Sequence, residues 1–192
     1  LTAKAIESVL TTNSMDLPLA DDWFFGLTWS SIAKTIVDQN PTLWTRTVET
    51  VLQQRFHQTL IDTRPPEVPG AVNSVRSASR RFKTAIVSSS NRVSVEHVAE
   101  RLGIRALLDD MVTSEDCVRS KPDPQCFQIG AHRLGVDCSE CLVFEDSIAG
   151  LTAARAAGMR TVAIGDHHPH RVADMVIENF EALPADFFGD GP

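Results

Sequence analysis

Hydrophobic residues recur at helical spacing throughout residues 1–64. They form three stripes, at Leu1, Ala5, Ile6, Val9 and Leu10, at Ile32, Ile36 and Val37, and at Trp44, Val48, Val51, Leu52 and Phe56. Steps of three and four residues are typical of amphipathic helices that bury one face. All three tryptophans, Trp23, Trp29 and Trp44, lie in this segment, and we expect them to form its core. The pattern therefore predicts a small all-helical domain over residues 1–64.

A proline-rich stretch, Asp62 to Gly70, separates this segment from a region with a different pattern. Short runs rich in valine and isoleucine alternate there with helical stripes. The runs predict strands that are covered on both faces, at Thr84–Val87, Asp110–Val112, Leu142–Phe144, Thr161–Ile164 and Met175–Ile177. Because strands and helices alternate, we predict a three-layer α/β fold, with a parallel sheet between helices, over residues 65–192.

Composition and charge narrow the classes of function. The chain has 192 residues, a net charge of −7 and no apolar run that approaches the roughly 20 residues of a membrane-spanning helix. Its acidic balance argues against nucleic acid as a partner. Four scattered cysteines are too few for a disulfide scaffold and fit a reducing compartment. We therefore expect a cytoplasmic protein that binds neither nucleic acid nor membrane.

Polar side chains follow the first two predicted strands, at the sheet edge where α/β proteins bind ligands. A hydroxyl-rich turn comes first, with Ser88, Ser89, Ser90 and Asn91. Such a turn can hold a phosphate group or can cap the next helix. Lys121 follows the second strand, in the stretch Ser120 to Pro124. Its ammonium group can reach a phosphate in the site or can lie on the surface.

Two adjacent carboxylates, Glu145 and Asp146, end the third predicted strand. Burying both groups is unfavourable unless a cation compensates them, and hard oxygen ligands suit Mg²⁺. The alternative is that Asp146 caps the following helix while Glu145 is solvated. That helix is rich in small residues, which allow close packing on the sheet and would hold the carboxylates still.

Together these motifs resemble the haloacid dehalogenase superfamily, in its branch of phosphatases and β-phosphoglucomutase-like sugar phosphomutases with a helical cap. The resemblance rests on Ser88, on Lys121 before Pro-Asp-Pro, and on the stretch VFEDSIAGLTAARAAGM from Val143 to Met159. It covers essentially the whole chain, because residues 1–64 resemble the cap and residues 65–192 resemble the core.

The resemblance implies Mg²⁺-dependent hydrolysis of a small phosphorylated metabolite by a monomer or a weak homodimer. It implies catalytic roles for Ser88 and Lys121, phosphate binding by Ser88, Ser89, Asn91 and Lys121, metal binding by Asp146 and Glu145, and a specificity role for Thr28 and Trp29. Trp29 has cap core as its alternative. The cap loop Phe24 to Trp29 lacks a basic residue, which favours a phosphatase with an apolar leaving group over a phosphomutase.

One motif of the family is absent from the chain. No Asp-x-Asp-Gly-Thr sequence occurs, although in the family its first aspartate is the nucleophile and its second the general acid and base. We therefore expect a core that lacks its central, nucleophile-bearing strand, a natural protein with a further upstream segment, and no activity in residues 1–192 alone. The alternatives are a sugar phosphomutase, a dehalogenase, which would need no metal, and an inactive protein that binds phosphate and metal.

Overall fold

The computed structural model describes residues 5–7, 10, 29–39, 42–63, 67–165 and 172–189. The chain divides into two units, Leu1–Pro66 and Glu67–Pro192. In the described ranges, no helix combines the length and the apolar character that crossing a membrane requires.

Two helices dominate the described part of the first unit. Helix α1 spans Trp29–Gln39 and helix α2 spans Thr45–Thr63. Their apolar stripes meet, and Trp29 packs against Phe56 with ring centroids 5.1 Å apart. Small and medium-sized aliphatic side chains complete the buried cluster. They are Ala5, Ile6, Leu10, Ile32, Ala33, Ile36, Val48 and Leu52.

Trp44 lies outside this core, so the prediction that all three tryptophans form it is wrong for that residue. Trp44 is 80% exposed, whereas Trp29 is 6% exposed; Trp23 falls outside the described residues. The reason is the start of α2: the Trp44 carbonyl accepts hydrogen bonds from the amides of Thr47 and Val48, at 2.9 and 3.0 Å. Trp44 therefore precedes the first helical residue, and its side chain does not continue the buried stripe.

The second unit alternates strands and helices, and this confirms the predicted α/β class. Every predicted strand is present with bounds within one residue of the prediction. The elements in chain order are α3 Ala71–Ala78, β1 Ala85–Val87, α4 Arg92–Arg101, β2 Asp110–Val112, α5 Gln125–Leu134, β3 Leu142–Glu145, α6 Ile148–Ala156, β4 Arg160–Ile164 and β5 Met175–Ile177.

The strands form two parallel sheets rather than one continuous sheet. Strand β1 pairs with β2, and the second sheet has the order β3-β4-β5. Within residues 67–165 and 172–189, β1 and β3 therefore have one strand neighbour each. All three residues of β1 are only half-buried and none in β3 is fully buried, whereas the middle of β4 is buried. The division between the two sheets thus lies between β1 and β3.

Helices cover the β1–β2 sheet on both faces, as expected for three layers. Val87 and Val112 face α5 and α6 in one apolar cluster, which also includes Val143 of β3 and so joins the two sheets. Because side chains alternate along a strand, Ile86 and Met111 face the other way, where they pack with α3 and α4. Both faces of the β1–β2 sheet are thus apolar and covered.

Aromatic packing fixes β3, the strand that ends in the acidic pair. The Phe144 ring lies 5.2 Å from Phe180 and 6.2 Å from both Phe187 and Phe188, measured between centroids. Phe180 belongs to a short 3₁₀ helix, Phe180–Ala182, that follows β5. The residues after the last strand thus fold back onto β3 and support it next to Glu145.

Candidate active site

The ammonium group of Lys121 joins the carboxyl ends of β1 and β3. Its Nζ donates a hydrogen bond of 3.2 Å to the Val87 carbonyl and one of 2.8 Å to Glu145 Oε2. Only 7% of the Lys121 side chain is exposed. The same nitrogen lies 5.0 Å from the ring centroid of Phe127, within the range of a cation–π contact. Lys121 therefore lies in the site, and the surface alternative is excluded.

Local hydrogen bonds shape the loop that presents Lys121. The side-chain oxygen of Gln125 accepts from the amides of Val118 and Arg119, at 2.8 and 2.7 Å. Asp123 Oδ1 accepts from the Gln125 amide at 2.9 Å, at the start of α5. This side-chain bond satisfies one of the free amides of the helix end. The loop is thus tied to the same helix that supplies Phe127 beneath the ammonium group.

Glu145 is held on two sides. Its Oε1 accepts from the amide and the hydroxyl of Ser147, at 3.0 and 2.7 Å, while Oε2 accepts from Lys121. Burial alone would raise the pKa of Glu145, but the charge of Lys121 and the hydrogen bonds from Lys121 and Ser147 outweigh burial and lower the pKa. Glu145 is therefore an ionised, oriented carboxylate and not the solvated group of the alternative interpretation.

Asp146 differs from its neighbour in exposure and in ionisation. Burial of the carboxyl group and the adjacent charge of Glu145 raise the pKa of Asp146. Asp146 as a whole is solvent-exposed, and ionising it beside the charged Glu145 is unfavourable. Asp146 does not cap α6, because the N-cap is Ser147, whose hydroxyl oxygen accepts from the Gly150 amide at 3.0 Å. The Asp146 carboxylate is thus not used by the helix cap.

The serine-rich turn lies directly after Val87, next to Lys121. The Ser88 hydroxyl oxygen accepts from the Ser90 amide at 3.1 Å, and Ser89 is half-buried in the same turn. Asn91 caps α4, since its Oδ1 accepts from the Ser94 amide at 2.9 Å. Of the two roles considered for this turn, Asn91 therefore has the role of helix cap. Phosphate binding by Ser88 and Ser89 stays a prediction.

The acidic pair fits Mg²⁺ in its chemistry but does not form a complete site. Two adjacent carboxylates face one lysine, so the group carries a net charge of −1 when ionised. In the part of the chain that the structure describes, no group of three or more histidine, cysteine, aspartate or glutamate residues is arranged to hold a metal ion. Among the described residues, Glu145 and Asp146 therefore match Mg²⁺ in donor chemistry without completing a metal site.

Three residues that touch this site escaped the sequence analysis. They are Phe127, Ser147 and Gly150, and the sequence analysis singles out none of them. Ser147 could have been found, because a serine between an acidic pair and a helix is a preferred N-cap. Of the two predicted specificity residues, Trp29 lies in the core of the first unit and Thr28 falls outside the described residues.

Comparison with characterised sequences identifies phosphate-transferring relatives. A region of 93 residues is 37% identical to a fructose-1-phosphate phosphatase of Escherichia coli, covering 48% of this chain and 50% of that protein. A region of 137 residues is 31% identical to a β-phosphoglucomutase of Bacillus subtilis, covering 68% of this chain and 58% of that protein. The chain thus matches 50% of the length of the first relative and 58% of the second.

Solved structures show the same fold over nearly the whole chain. A β-phosphoglucomutase from Clostridium difficile has a TM-score of 0.82 at 20% identity, covering 97% of this chain and 86% of that one. At this identity the likeness concerns the fold alone. The sequence profile of the haloacid dehalogenase-like hydrolases matches residues 20–158. The chain therefore belongs to the haloacid dehalogenase-like hydrolase family, as the resemblance of its motifs implies.

Proposed function

We propose that the protein hydrolyses a small phosphomonoester with the help of Mg²⁺. The observation that carries this proposal is the buried ammonium group of Lys121, held between Glu145 and the Val87 carbonyl beside Ser88, with Asp146 exposed next to it. This arrangement places a fixed positive charge beside a hydroxyl-rich turn and an unneutralised carboxylate. A phosphate group together with a divalent cation supplies the charges that complement both.

Each residue has a defined role in this proposal. Ser88 and Ser89 bind phosphoryl oxygens, and Lys121 stabilises the negative charge that spreads over these oxygens in the transition state. Asp146, with Glu145, would hold Mg²⁺, which when bound would neutralise charge on the phosphoryl group. Glu145 also orients Lys121 through their 2.8 Å ion pair.

The nucleophile in this proposal is an aspartate outside residues 1–192. It would attack phosphorus, the bond to the leaving oxygen would break, and water would hydrolyse the resulting aspartyl-phosphate. Support comes from the sheets: among the described residues β1 and β3 each lack a second strand neighbour, and their backbone edges can pair with a further parallel strand. A strand in this position would end beside Lys121, as β1 and β3 do.

We favour a phosphatase over a sugar phosphomutase, although the relatives include both. The reason is the absence of a basic residue from Phe24 to Trp29, which also favours an apolar leaving group. We assign substrate selection to Thr28 rather than Trp29, because Trp29 is in the core of its unit. Four free cysteines support a reducing compartment such as the cytoplasm.

The test compares two chains, residues 1–192 and a chain extended upstream by an Asp-x-Asp-Gly-Thr strand. We expect the extended chain to release inorganic phosphate from p-nitrophenyl phosphate only with Mg²⁺, and Asp146→Asn and Lys121→Ala to abolish the release. A phosphomutase would instead interconvert sugar phosphates without net phosphate release. Activity that survives both substitutions would refute the assigned site.

A second candidate is a protein that binds phosphate and Mg²⁺ without turning over a substrate. The observation in its favour is that residues 1–192 contain no Asp-x-Asp-Gly-Thr motif. Calorimetric titration of residues 1–192 with inorganic phosphate, with and without Mg²⁺, tests binding separately from turnover. Mg²⁺-dependent binding together with an inert extended chain would favour this candidate.

A further inference from the structure

The Glu145 carboxylate occupies the space that a side chain at position 150 would need. A Cβ atom built on Gly150 would overlap Glu145 Cδ and Oε2, far inside van der Waals contact. Gly130, a helical glycine in α5, is different: a Cβ there would lie 3.4 Å from a methyl group of Val87 and 3.7 Å from one of Val112, which is ordinary contact. A side chain at position 150 would thus displace the Glu145 carboxylate, which glycine leaves in place.

The first turn of α6 therefore binds one carboxylate, that of Glu145, in a defined position. The Ser147 amide and hydroxyl donate to Glu145 Oε1, the Ser147 oxygen is in turn fixed by the Gly150 amide, and the missing Cβ leaves room for the carboxylate. The other carboxylate oxygen accepts from Lys121. Displacing Glu145 from the helix would therefore remove the partner that holds the ammonium group.

We propose that Gly150 is a positioning residue for Lys121, acting through Glu145. Because Gly150 has no side chain, the Glu145 carboxylate can lie against the helix. There it holds the Lys121 ammonium group at the Val87 carbonyl, beside the serine-rich turn, before any ligand binds. A charge that is oriented in advance needs no rearrangement when negative charge develops on a phosphoryl group. The benefit for catalysis rests on the proposed function. The positioning of Glu145 and Lys121 by Gly150 does not depend on it.

The test is Gly150→Ala in two backgrounds, with the urea midpoint of unfolding as the readout. In the wild-type background we expect the midpoint to fall, because the new methyl group displaces Glu145. In a Lys121→Met/Glu145→Ala background no carboxylate is displaced and no lysine loses its partner. There the midpoint should stay the same or rise, because alanine favours a helix more than glycine does.

Gly130→Ala is the matched control, since it makes the same change in a buried helical glycine that faces β-strand side chains. Its midpoint should not fall in either background. A similar fall for Gly150→Ala in both backgrounds would overturn the proposal, because Gly150 would then serve the packing of α6 and not the carboxylate. No fall in the wild-type background would also overturn it. If Gly150→Ala does not fold, folding of the triple variant supports the proposal, and failure of both refutes it.

A second readout follows Lys121 itself and would not respond to a purely structural role. The amine is labelled with trinitrobenzene sulfonate under native conditions, and modified peptides are quantified by mass spectrometry with Lys34, 69% exposed, as the internal standard. We expect Lys121 to react several-fold faster in Gly150→Ala than in the wild type or in Gly130→Ala. Equal rates in all three chains would contradict the proposal. Neither readout needs phosphate, metal or turnover, so failure of the phosphatase proposal would be seen separately, in the phosphate titration.

Discussion

Two clusters of carboxylates lie beside parallel strands of the second unit, Glu67–Pro192, and they differ in charge balance. In the β2 cluster, Asp110 and Asp116 face Arg92 and Arg133. Asp116 contacts both arginines, with nitrogen–oxygen distances of 2.8 Å to Arg92 and 2.7 Å to Arg133, and Asp110 lies 3.8 Å from Arg133. The two arginines balance Asp110 and Asp116, while the neighbouring Glu115 carboxylate accepts from the Arg92 amide. Burial would raise the pKa of Asp116, but hydrogen bonds from Arg133 and Thr113 lower it to about 2.

Among the residues that the structure describes, one basic side chain, Lys121, forms an ion pair with the β3 pair, Glu145 and Asp146. One carboxylate is stabilised in its charged form, and the pKa of the other is raised. The comparison teaches how to separate a structural cluster from a binding one. In the β2 cluster, two arginines of the protein itself compensate the charges of Asp110 and Asp116. The β3 pair has one negative charge more than Lys121 compensates, and a bound cation would balance this charge. Asp146, one of the two residues, is exposed to solvent.

The largest effect should follow Lys121→Met, which removes the cation from the β3 pair. Glu145 would remain buried and unpaired, and breaking a buried ion pair on one side lowers the free energy of unfolding by about 3–5 kcal/mol. Urea denaturation checks this, with and without Mg²⁺. Added Mg²⁺ should restore part of the loss, since it replaces the missing positive charge. A loss below about 1 kcal/mol would mean that the ion pair is solvated like a surface pair.

A smaller effect is expected for Arg133→Met in the β2 cluster. Asp116 would keep Arg92, so the loss should be about 2 kcal/mol, as for removal of a hydrogen bond between charged groups. The decisive measurement is again urea denaturation with and without Mg²⁺. Here Mg²⁺ should change nothing, because the β2 cluster is not expected to bind it. Recovery by Mg²⁺ in this variant would remove the distinction between the two clusters.

The sequence predicts the strands and the position of the site because both depend on local patterns. Runs of valine and isoleucine define β1 to β5, and polar residues at strand ends identify Ser88, Lys121 and the acidic pair. Which of two roles a polar residue takes depends on distant neighbours, so the sequence leaves phosphate binding and helix capping open for Asn91. The contact of Gly150 with Glu145 depends on a side-chain position, which no sequence spacing specifies.

Acid should weaken the β2 cluster through Asp116. The folded-state pKa of about 2 is below the ordinary value of 3.8, so the stabilisation is complete above the ordinary value and is lost as pH falls through the folded-state value. With allowance for solvent screening, we expect about 1–2 kcal/mol. The measurement compares the wild type with Asp116→Asn from pH 5 to pH 2. The difference in unfolding free energy should shrink toward acid; a constant difference would contradict the prediction.

The smallest effect is expected for Lys34→Met on the exposed face of α1. Lys34 pairs with Asp38 at 2.6 Å, a shorter distance than that between Lys121 and Glu145, but the two side chains are 69% and 59% exposed. Water solvates both charges after the pair is broken, so the loss should stay below about 0.5 kcal/mol. The substitution is chemically the same as Lys121→Met, and urea denaturation measures both. An equal loss of unfolding free energy in Lys34→Met and Lys121→Met would contradict the prediction. It would show that burial does not distinguish the β3 pair, and that a short nitrogen–oxygen distance alone determines the contribution of an ion pair.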